Sequence, residues 1–290
     1  MLHARPPAAQ APPASPTPSA PEDTGAWRMH RHPHYATTLA QIGAGVSRRP
    51  DGALVVTRRL GPMRILWLPD PAVLPELRPL PGPALISAGD AAMDAALMGS
   101  GAIRVMTPQS RAVLALLQDE GRQRAGLAQK WRNRLNRADK AGLRLRHGPL
   151  PRNPQHWLLA AEAAQQRARS YRALPPAFAL NWPETRLFTA TWNGEAIAAM
   201  LFLLHAPGAS YHIGWSGEAG RRLSAHTMLL WTAMRWLAAR GITRLDLGPV
   251  DRDRAPGLLR FKLGSGAHVM DTGHTWFHSR FSAPLGRCLG

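Results

Sequence analysis

A single lysine near the carboxyl end is the side chain in this sequence most suited to chemistry. The 290-residue chain has 36 lysines and arginines, but only three of these are lysines, and Lys262 is the last of them. It follows a short apolar stretch and a loop rich in Asp, Arg and Pro, and it precedes a Gly-Ser-Gly turn at 264–266. A flexible amine in such surroundings can contact negative charge that develops during a reaction. We therefore predict that Lys262 lies in an active site, the alternative being an exposed surface lysine.

Two adjacent arginines precede the longest apolar helix that the sequence predicts. Residues 223–240 are apolar around most of a helical circumference, which indicates a buried helix that ends at Gly241. Arg221 and Arg222 stand at its amino end. Because free backbone N–H groups and the helix dipole attract anions there, both arginines are candidate phosphate contacts.

A basic amphipathic helix is predicted over residues 127–140. Apolar residues recur at spacings of four, four and three and line one face, namely Leu127, Trp131, Leu135 and Ala138. Basic residues are distributed over the remaining surface and include Lys130, Arg134 and Arg137. These three are candidate contacts for a phosphate-bearing substrate or for RNA. The alternative is an ordinary solvated helix face.

The patterns on both sides of this helix predict a mixed sheet flanked by helices. In the carboxyl-terminal part we predict a helix over 153–171, a long helix over 223–240, and strands over 185–192, 196–204, 211–215, 245–247 and 267–277. Asn193-Gly194 is a strong hairpin turn between the first two of these strands. In the amino-terminal part we predict a helix over 108–118 and strands over 53–57, 63–68, 102–106 and 143–146. The fold class is therefore α+β with a mixed, mostly antiparallel sheet.

Composition limits the classes of protein to which the chain can belong. Hydrophobic residues make up 45% of the sequence, which is enough for a packed core. The formal net charge of +18 is consistent with a polyanionic partner, but the basic residues are nearly all arginines and are scattered, which favours a coding bias as its main cause. Cys288 is the single cysteine, so no intrachain disulfide can form. The longest apolar run has nine residues, too few for a membrane span, and we predict a cytoplasmic protein without a transmembrane segment.

Two segments near the amino terminus have distinctive compositions, one rich in proline and the other in histidine. Residues 1–25 are rich in Pro, Ala and Ser and are predicted to form a disordered tail. The pattern His30-x-His32-x-His34 places three imidazoles close together, but no Cys, Asp or Glu nearby completes a ligand set. We therefore predict no metal site.

The order of elements and three short motifs resemble a known superfamily. Strand, Asn-Gly hairpin, two strands, an Arg- and Gly-containing loop, a long helix and a further strand resemble a GNAT (Gcn5-related N-acetyltransferase) domain. The local sequences Lys130–Leu135, Tyr211–Gly214 and Phe261-Lys262 look like those of the FemAB-type branch. The resemblance implies two GNAT-like halves, and we assign 26–150 to a degenerate half that includes the basic helix and 151–282 to the acyltransferase half.

The resemblance also implies the reaction and a donor site. Members transfer an acyl group from an activated donor to a primary amine; the donor is acyl-coenzyme A in most GNAT proteins and aminoacyl-tRNA in peptidoglycan-bridge enzymes. A Gln/Arg-x-x-Gly-x-Gly/Ala loop holds the donor pyrophosphate in GNAT domains, and the matching segment here is 221–226. Arg221 fits its first position, whereas Ser224 and His226 replace the small residues, and His226 is expected to crowd a phosphate. The implied donor-binding residues are Arg221, Arg222, Ser224 and Ala225.

The same resemblance gives roles to residues around the lysine. Lys262 matches the branch's aromatic-Lys position and is expected to stabilise the oxyanion or a phosphate. Asp251 and Asp246 are candidate general bases for the incoming ammonium; alternatively, Asp246 caps a turn and Asp251 pairs with Arg252 or Arg254. His212 is a candidate substrate contact or a core histidine.

The sequence therefore predicts an N-acyltransferase that uses acetyl-coenzyme A or another acyl-coenzyme A and transfers groups other than aminoacyl groups. The acceptor is expected to be a small-molecule or phosphate-bearing amine. Two alternatives stay open. One is a FemAB-type aminoacyl transferase that uses charged tRNA, and the other is a non-catalytic nucleic-acid-binding protein on a GNAT scaffold.

Overall fold

The computed structural model describes residues 25–77 and 80–281, apart from the side chain of Leu60. The predicted disordered tail at 1–25 lies, except for Gly25, outside the described residues, as does Cys288. Helical elements are a 3-10 turn at Met29–Arg31 and α1 (Pro33–Gln41), α2 (Ala91–Leu97), α3 (Glu120–Ala125), α4 (Gln129–Asp139), α5 (Trp157–Arg169), α6 (Pro176–Asn181), α7 (Glu218–Arg222), α8 (Ala225–Ala238) and α9 (Pro256–Gly264). Strands are β1 (Gly45–Arg48), β2 (Leu54–Leu60), β3 (Met63–Pro69), β4 (Ala84–Ser87), β5 (Ile103–Met106), β6 (Ser110–Ala115), β7 (Arg144–Gly148), β8 (Thr185–Trp192), β9 (Glu195–His205), β10 (Gly208–Ser216), β11 (Arg244–Pro249), β12 (His268–Asp271) and β13 (Thr275–His278).

The strands form two mixed sheets, and the predicted α+β class is confirmed. One sheet has six strands in the order β1-β2-β3-β4-β13-β5, and the other has seven in the order β12-β6-β11-β10-β9-β8-β7. Each sheet has a single parallel pair in the described chain, β3–β4 in the first and β10–β11 in the second. This shared feature agrees with two GNAT-like halves.

Each face of the larger sheet is covered by its own apolar cluster. Side chains of α4 and α8 pack on one face around Phe202, Leu230 and Trp131. Those of α5 and α6 pack on the other face around Leu158 and Leu201. Burial of this apolar surface is the main force that holds helices on the sheet.

A third cluster joins the two sheets. Tyr35, Leu39 and Val56 from the amino-terminal part pack with Phe178 and Leu203 from the carboxyl-terminal part. All five are at most 2% exposed, so the sheets share a dry apolar contact.

The hairpin and the basic helix follow the sequence prediction closely. Trp192 pairs with Glu195, and Asn193 and Gly194 between them have φ of 51° and 84°, as a two-residue type I′ turn requires. In α4 the predicted apolar face is buried, with Trp131 and Leu135 each 2% exposed. Both predictions are confirmed.

One predicted helix is wrong, since residues 108–118 contain strand β6. This strand lies between β11 and β12, and Ala112, Val113 and Leu114 are all almost fully buried. A strand covered on both faces has a continuous apolar run, which periodicity alone does not distinguish from a buried helix.

The structure also corrects the start of one helix and the location of Lys262. The helix predicted from Asn153 begins at Trp157, because the Asn153 side chain accepts from the N–H of Gln155 and forms a local turn instead. Lys262, expected beside a strand and a glycine turn, lies inside helix α9, which starts at Pro256 and ends at Gly264.

The proposed division into 26–150 and 151–282 stays a prediction. Strands β6 and β7, which precede residue 150, belong to the larger sheet, and β13 returns to the smaller one. The two halves therefore exchange strands across the predicted boundary.

Candidate active site

Strands β10 and β11, neighbours in the interior of the larger sheet, pair only partway along their length and leave a cleft between their carboxyl ends. Their parallel pairing covers Gly208 to Ser210 and stops where Ser210 meets Asp246. Strand β10 continues to Ser216 and stays paired with β9 on its other side, with a bulge between Tyr211 and Ile213. Bulges re-aim side chains and end pairing, and they are frequent beside active sites. The carboxyl ends of these two strands therefore border the same opening.

The Lys262 amine is buried against the end of β11. The residue is 3% exposed, which excludes the alternative of an exposed surface lysine. Its Nζ donates a hydrogen bond to the carbonyl oxygen of Pro249 at 2.7 Å. Burial lowers the pKa of Lys262 to about 8, while the charge of Asp246 opposes this and that of Arg111 adds to it. The amine therefore gains or loses its positive charge at a pH within the range in which enzymes commonly work.

Asp246 is held by an arginine and by a backbone amide. Arg111 donates to Oδ2 from Nη2 at 2.6 Å and from Nε at 3.0 Å, and the N–H of Gly248 donates to Oδ1 at 2.7 Å. Gly248 has φ of 83°, a conformation that favours glycine. Both carboxylate oxygens are engaged, and this arrangement favours a role in fixing the charge around Lys262 over proton acceptance.

Asp251 lies on the loop after β11 and faces solvent. Its Oδ1 accepts from the N–H groups of Asp253 at 3.0 Å and Arg254 at 2.8 Å. The N–H of Arg254 is the main cause that lowers the pKa of Asp251. Its side chain is 47% exposed, and Arg254 approaches to 4.0 Å. These contacts favour the predicted alternative, in which Asp251 pairs with the neighbouring Arg254.

The predicted donor loop is at the same edge of the sheet, between β10 and α8. Arg221 Nη1 donates to the carbonyl oxygen of Ser216 at 2.6 Å, and the Arg222 guanidinium lies 5.7 Å from the Trp192 ring. Ser224 precedes the first residue of α8, Ala225, with φ of 56°. The first N–H groups of any helix lack carbonyl partners within it, so the amides at 225 and 226 are suited to an anion.

His226 differs from its expected position. Its Nε2 lies 2.8 Å from the carbonyl oxygen of Trp215, and the ring is 6.3 Å from that of Phe261. Burial lowers the pKa of His226, in keeping with a neutral ring that donates to this carbonyl. The imidazole is thus turned toward the sheet, and the expectation that it crowds a phosphate in front of the helix is wrong for this arrangement.

The other predicted substrate contacts are spread over different surfaces. Lys130, Arg134 and Arg137 are exposed on α4, whose Trp131 donates from its indole N–H to the Phe261 carbonyl at 3.2 Å. His212 lies at the bulge, 6.0 Å from the ring of Phe178 in α6. Burial lowers its pKa to about 4, so His212 is neutral at physiological pH. Among the described residues, none of these side chains has a hydrogen bond to Lys262, whose Nζ is bonded to the Pro249 carbonyl.

A polar cluster that the sequence analysis missed borders the bulged end of β10. Tyr171 donates to Glu162 Oε1 at 2.8 Å, and Gln165 donates to the carbonyl oxygen of Gly214 at 3.0 Å. The Tyr211 hydroxyl occupies the space beside Gly214, where an added Cβ would lie 1.5 Å from it. Burial and the Glu162 charge raise the pKa of Tyr211.

One signal in the sequence could have identified this cluster. Glu162 lies three and four residues after the buried Leu159 and Leu158, so it is on the buried face of α5. It is 8% exposed, and a buried carboxylate on an apolar helix face indicates a specific partner.

The geometry of two sheets with one parallel pair each, and of a cleft where one such pair separates, defines a GNAT-type fold. Among solved structures, FemX has 11% sequence identity and a TM-score of 0.70, with 92% of this chain and 97% of that chain covered. L-PGS from Bacillus licheniformis has 12% identity and a TM-score of 0.54, with 93% and 95% covered. These likenesses, at such low identity, concern the fold alone.

The sequence itself gives the family. A model of the acetyltransferase (GNAT) domain matches residues 118–263, just over half of the chain, and this range contains Lys262, Asp246 and the loop 221–226. The chain therefore belongs to the GNAT acetyltransferase family. A comparison with curated proteins found no match. Within residues 25–77 and 80–281, the helices are too short or too polar to cross a membrane.

Proposed function

We propose that the protein is an N-acyltransferase that moves an acyl group from acyl-coenzyme A to a primary amine in the cleft between β10 and β11. The observation that carries this proposal is the separation of these strands beyond Ser210 and Asp246, with the buried Lys262 amine at one wall. Family membership supports acyl transfer as the reaction. Acyl-coenzyme A as the donor and a primary amine as the acceptor are the proposed parts of this function.

The donor loop is compatible with a pyrophosphate. Both Arg221 and Arg222 are exposed at the loop, and the amino end of α8 supplies backbone N–H groups. His226 points away from this approach, toward the Trp215 carbonyl. An acyl-coenzyme A supplies an activated thioester carbonyl to the cleft.

The chemistry needs charge stabilisation and removal of a proton. The acceptor nitrogen bonds to the acyl carbon, the bond from that carbon to sulfur breaks, and the thiolate takes up a proton. Lys262, while charged, is suited to stabilise the negative charge that develops on the carbonyl oxygen. The proton of the acceptor ammonium passes to a carboxylate, for which Asp251 and the buried Glu162 are the candidates.

Replacing each candidate base by the corresponding amide shows which of the two carboxylates accepts the proton. Glu162→Gln is expected to lower kcat if Glu162 accepts the proton, and Asp251→Asn if Asp251 does. The measurement is transfer of radiolabel from acetyl-coenzyme A to amines, with thermal unfolding as a check of the fold. Equal activity of both variants and the wild type would exclude both assignments.

A second candidate function is aminoacyl transfer from charged tRNA. Ser224 and His226 stand where the GNAT loop has small residues, and Arg221 is bonded to the Ser216 carbonyl. The net charge of +18 and the exposed basic residues of α4 also suit RNA. The likeness in fold to FemX and L-PGS is compatible with either donor.

One pair of assays decides between these functions. The protein is incubated with radiolabelled acetyl-coenzyme A and, separately, with tRNA carrying a radiolabelled amino acid. Binding and turnover of the thioester without tRNA binding support the first function. Turnover of charged tRNA supports the second. Salt-sensitive tRNA binding without turnover of either donor would mean a non-catalytic nucleic-acid-binding protein.

A further inference from the structure

A cavity of about 380 Å³ lies at the edge of the larger sheet, away from the donor loop. It is bordered by the loop after β7, the start of β8, and the end of α8. Helix α8 runs from the donor loop to this cavity, and its 14 residues span about 21 Å. The cavity is therefore separate from the candidate active site. Its volume is in the range of small-molecule sites, roughly 300–1,000 Å³.

Two arginines lie against one indole ring in this cavity, and a third arginine lines it. Arg186 and Arg240 place their guanidinium carbons 4.2 and 3.5 Å from the centre of the Trp236 ring, and Arg152 lines the mouth. Such cation–π contacts are favourable, but an aromatic ring does not neutralise the positive charges. The ion pairs of the described residues do not include any of these three arginines.

Because Arg186 and Arg240 both lie against the Trp236 ring, their positive charges repel each other. Burial and the neighbouring charge of Arg240 lower the pKa of the Arg186 guanidinium, while the charge of Glu184 opposes them. Burial, with the charges of Arg186 and Arg240, also lowers the pKa of the nearby His147. Glu184 is the one acid among the described residues that line the cavity, and it is exposed. The negative end of α8 favours Arg240, but it does not account for Arg186 or Arg152.

The remaining wall is apolar. Leu150, Leu180 and Trp182 contribute to it, and the Trp182 indole N–H is already bonded to the carbonyl oxygen of Leu204 at 3.0 Å. A ligand that fits both parts has an anionic head with planar or tetrahedral acceptor oxygens and an apolar body. Guanidinium groups bind phosphate oxygens in this manner.

We propose that the cavity between β7, β8 and α8 is a binding site for a small organic phosphate, with Arg186 and Arg240 on the phosphate and Arg152 at the entrance. The apolar body of the ligand lies against Leu150, Leu180 and Trp182. This site is independent of the acyl donor and of the proposed transfer reaction. Its occupation places a ligand at the carboxyl end of the helix whose amino end forms the donor loop.

The test is isothermal titration of the full chain with phenyl phosphate, inorganic phosphate and phenol. We expect phenyl phosphate to bind about tenfold more tightly than inorganic phosphate, and phenol to give no measurable binding. Arg186→Gln and Arg240→Gln are each expected to weaken binding of phenyl phosphate at least tenfold. Higher salt weakens binding as well, because the contact is largely electrostatic.

Three further variants keep the test decisive. Arg59→Gln removes the same charge from an exposed position on β2 and is expected to leave binding unchanged. Arg152→Gln changes an exposed loop residue, so folding is preserved, and it is expected to weaken binding about threefold. Arg186→Lys keeps a charge and is expected to retain more affinity than Arg186→Gln.

Several results would overturn the proposal. No binding of phenyl phosphate to the wild type would do so, as would equal binding by wild type, Arg186→Gln and Arg240→Gln. Binding of tRNA that depends on these arginines, without binding of phenyl phosphate, would assign the arginines to a nucleic-acid surface instead.

Discussion

At the scale of single residues, the unusual feature is a buried lysine with one acidic and one basic neighbour, which shift its pKa in opposite directions. Burial sets the pKa of Lys262 near 8, Asp246 raises it, and Arg111 lowers it. Arg111 and Asp246 are themselves paired at 2.6 Å. Any change to one of these side chains therefore changes the pH at which Lys262 loses its proton.

The first prediction concerns the charge of Lys262 itself. Lys262→Ala is expected to lower kcat about 100-fold, the usual effect of removing one group that stabilises an oxyanion. Wild-type activity is expected to fall as the pH rises through about 8, because the amine then loses its positive charge. Lys262→Arg keeps the charge at every working pH, so the activity that remains should lack this alkaline decline. The measurement is the pH dependence of kcat, and an identical decline in Lys262→Arg would contradict the assignment.

The second prediction uses the opposite signs of the two neighbours. Asp246→Asn removes a charge that raises the pKa of Lys262, so the alkaline decline should move to lower pH. Arg111→Gln removes a charge that lowers this pKa, so the decline should move to higher pH. Both profiles are measured with the same substrate, and thermal unfolding reports whether each variant is folded. Shifts of the same sign in both variants would mean that Lys262 is not the group that titrates.

The residue types around the lysine were predictable, whereas their contacts were not. Lys262 was identified by its rarity and its surroundings, and Asp246 by its position in a strand. Arg111 lies 135 residues before Asp246 in the chain, and nothing in the local pattern links the two. Long-range pairing between strands brings them together, and a single sequence does not specify it.

At the scale of elements, the loop between β10 and α8 depends on a glycine that packs against β9. A Cβ at Gly220 would lie 2.2 Å from the carbonyl oxygen of Ile197 and 2.6 Å from Ser216 Oγ. The backbone at Ile197 already accepts the N–H of Gly217 at 3.0 Å, so it is not free to move. The glycine thus allows α7 to pack closely against β9.

The third prediction follows from this close approach. Gly220→Ala is expected to lower the free energy of unfolding by roughly 1–3 kcal/mol, as overpacking against backbone does. Gly148→Ala serves as the control, because an added Cβ there meets nothing within 4 Å and its φ is not positive. Urea denaturation of both variants measures the difference. A Gly220→Ala protein as stable as the Gly148→Ala protein would mean that the loop can move away from β9.

Among the elements, those with clear local signals were predicted correctly. The Asn-Gly hairpin and α4 carry such signals in their turn residues and apolar spacing. Strand β6 was missed because its burial on both faces removes the alternation typical of a strand. Helix α9 was missed although Pro256 stands at its first position and a glycine follows its end. Helix α1 was missed as well, although Pro33 stands at its first position.

At the scale of the whole molecule, the two sheets depend on each other for strands. Strand β13 lies between β4 and β5 in the smaller sheet, and β6 lies between β12 and β11 in the larger one. A cut at residue 150 would thus remove strands from both sheets. The apolar contact around Tyr35 and Phe178 would also be lost.

The fourth prediction tests the proposed boundary at 150. A fragment of residues 151–290 lacks β6 and β7 and is expected to show no cooperative thermal transition by circular dichroism. Co-expression with a fragment of residues 1–150 is expected to restore a folded complex, because the missing strands are then supplied in trans. Cooperative unfolding of the isolated fragment would show that the boundary separates independent domains.

The return of β13 to the smaller sheet also has a consequence for synthesis on the ribosome. All seven strands of the larger sheet lie between residues 110 and 271, whereas the smaller sheet needs Thr275–His278 to join β4 to β5. Domains generally fold from the amino terminus first as the chain emerges. Here the order is reversed, since the smaller, mainly amino-terminal sheet stays incomplete until after the last strand of the larger sheet has been made. A chain that ends before residue 275 would thus contain all seven strands of the larger sheet while β5 still lacks its neighbour.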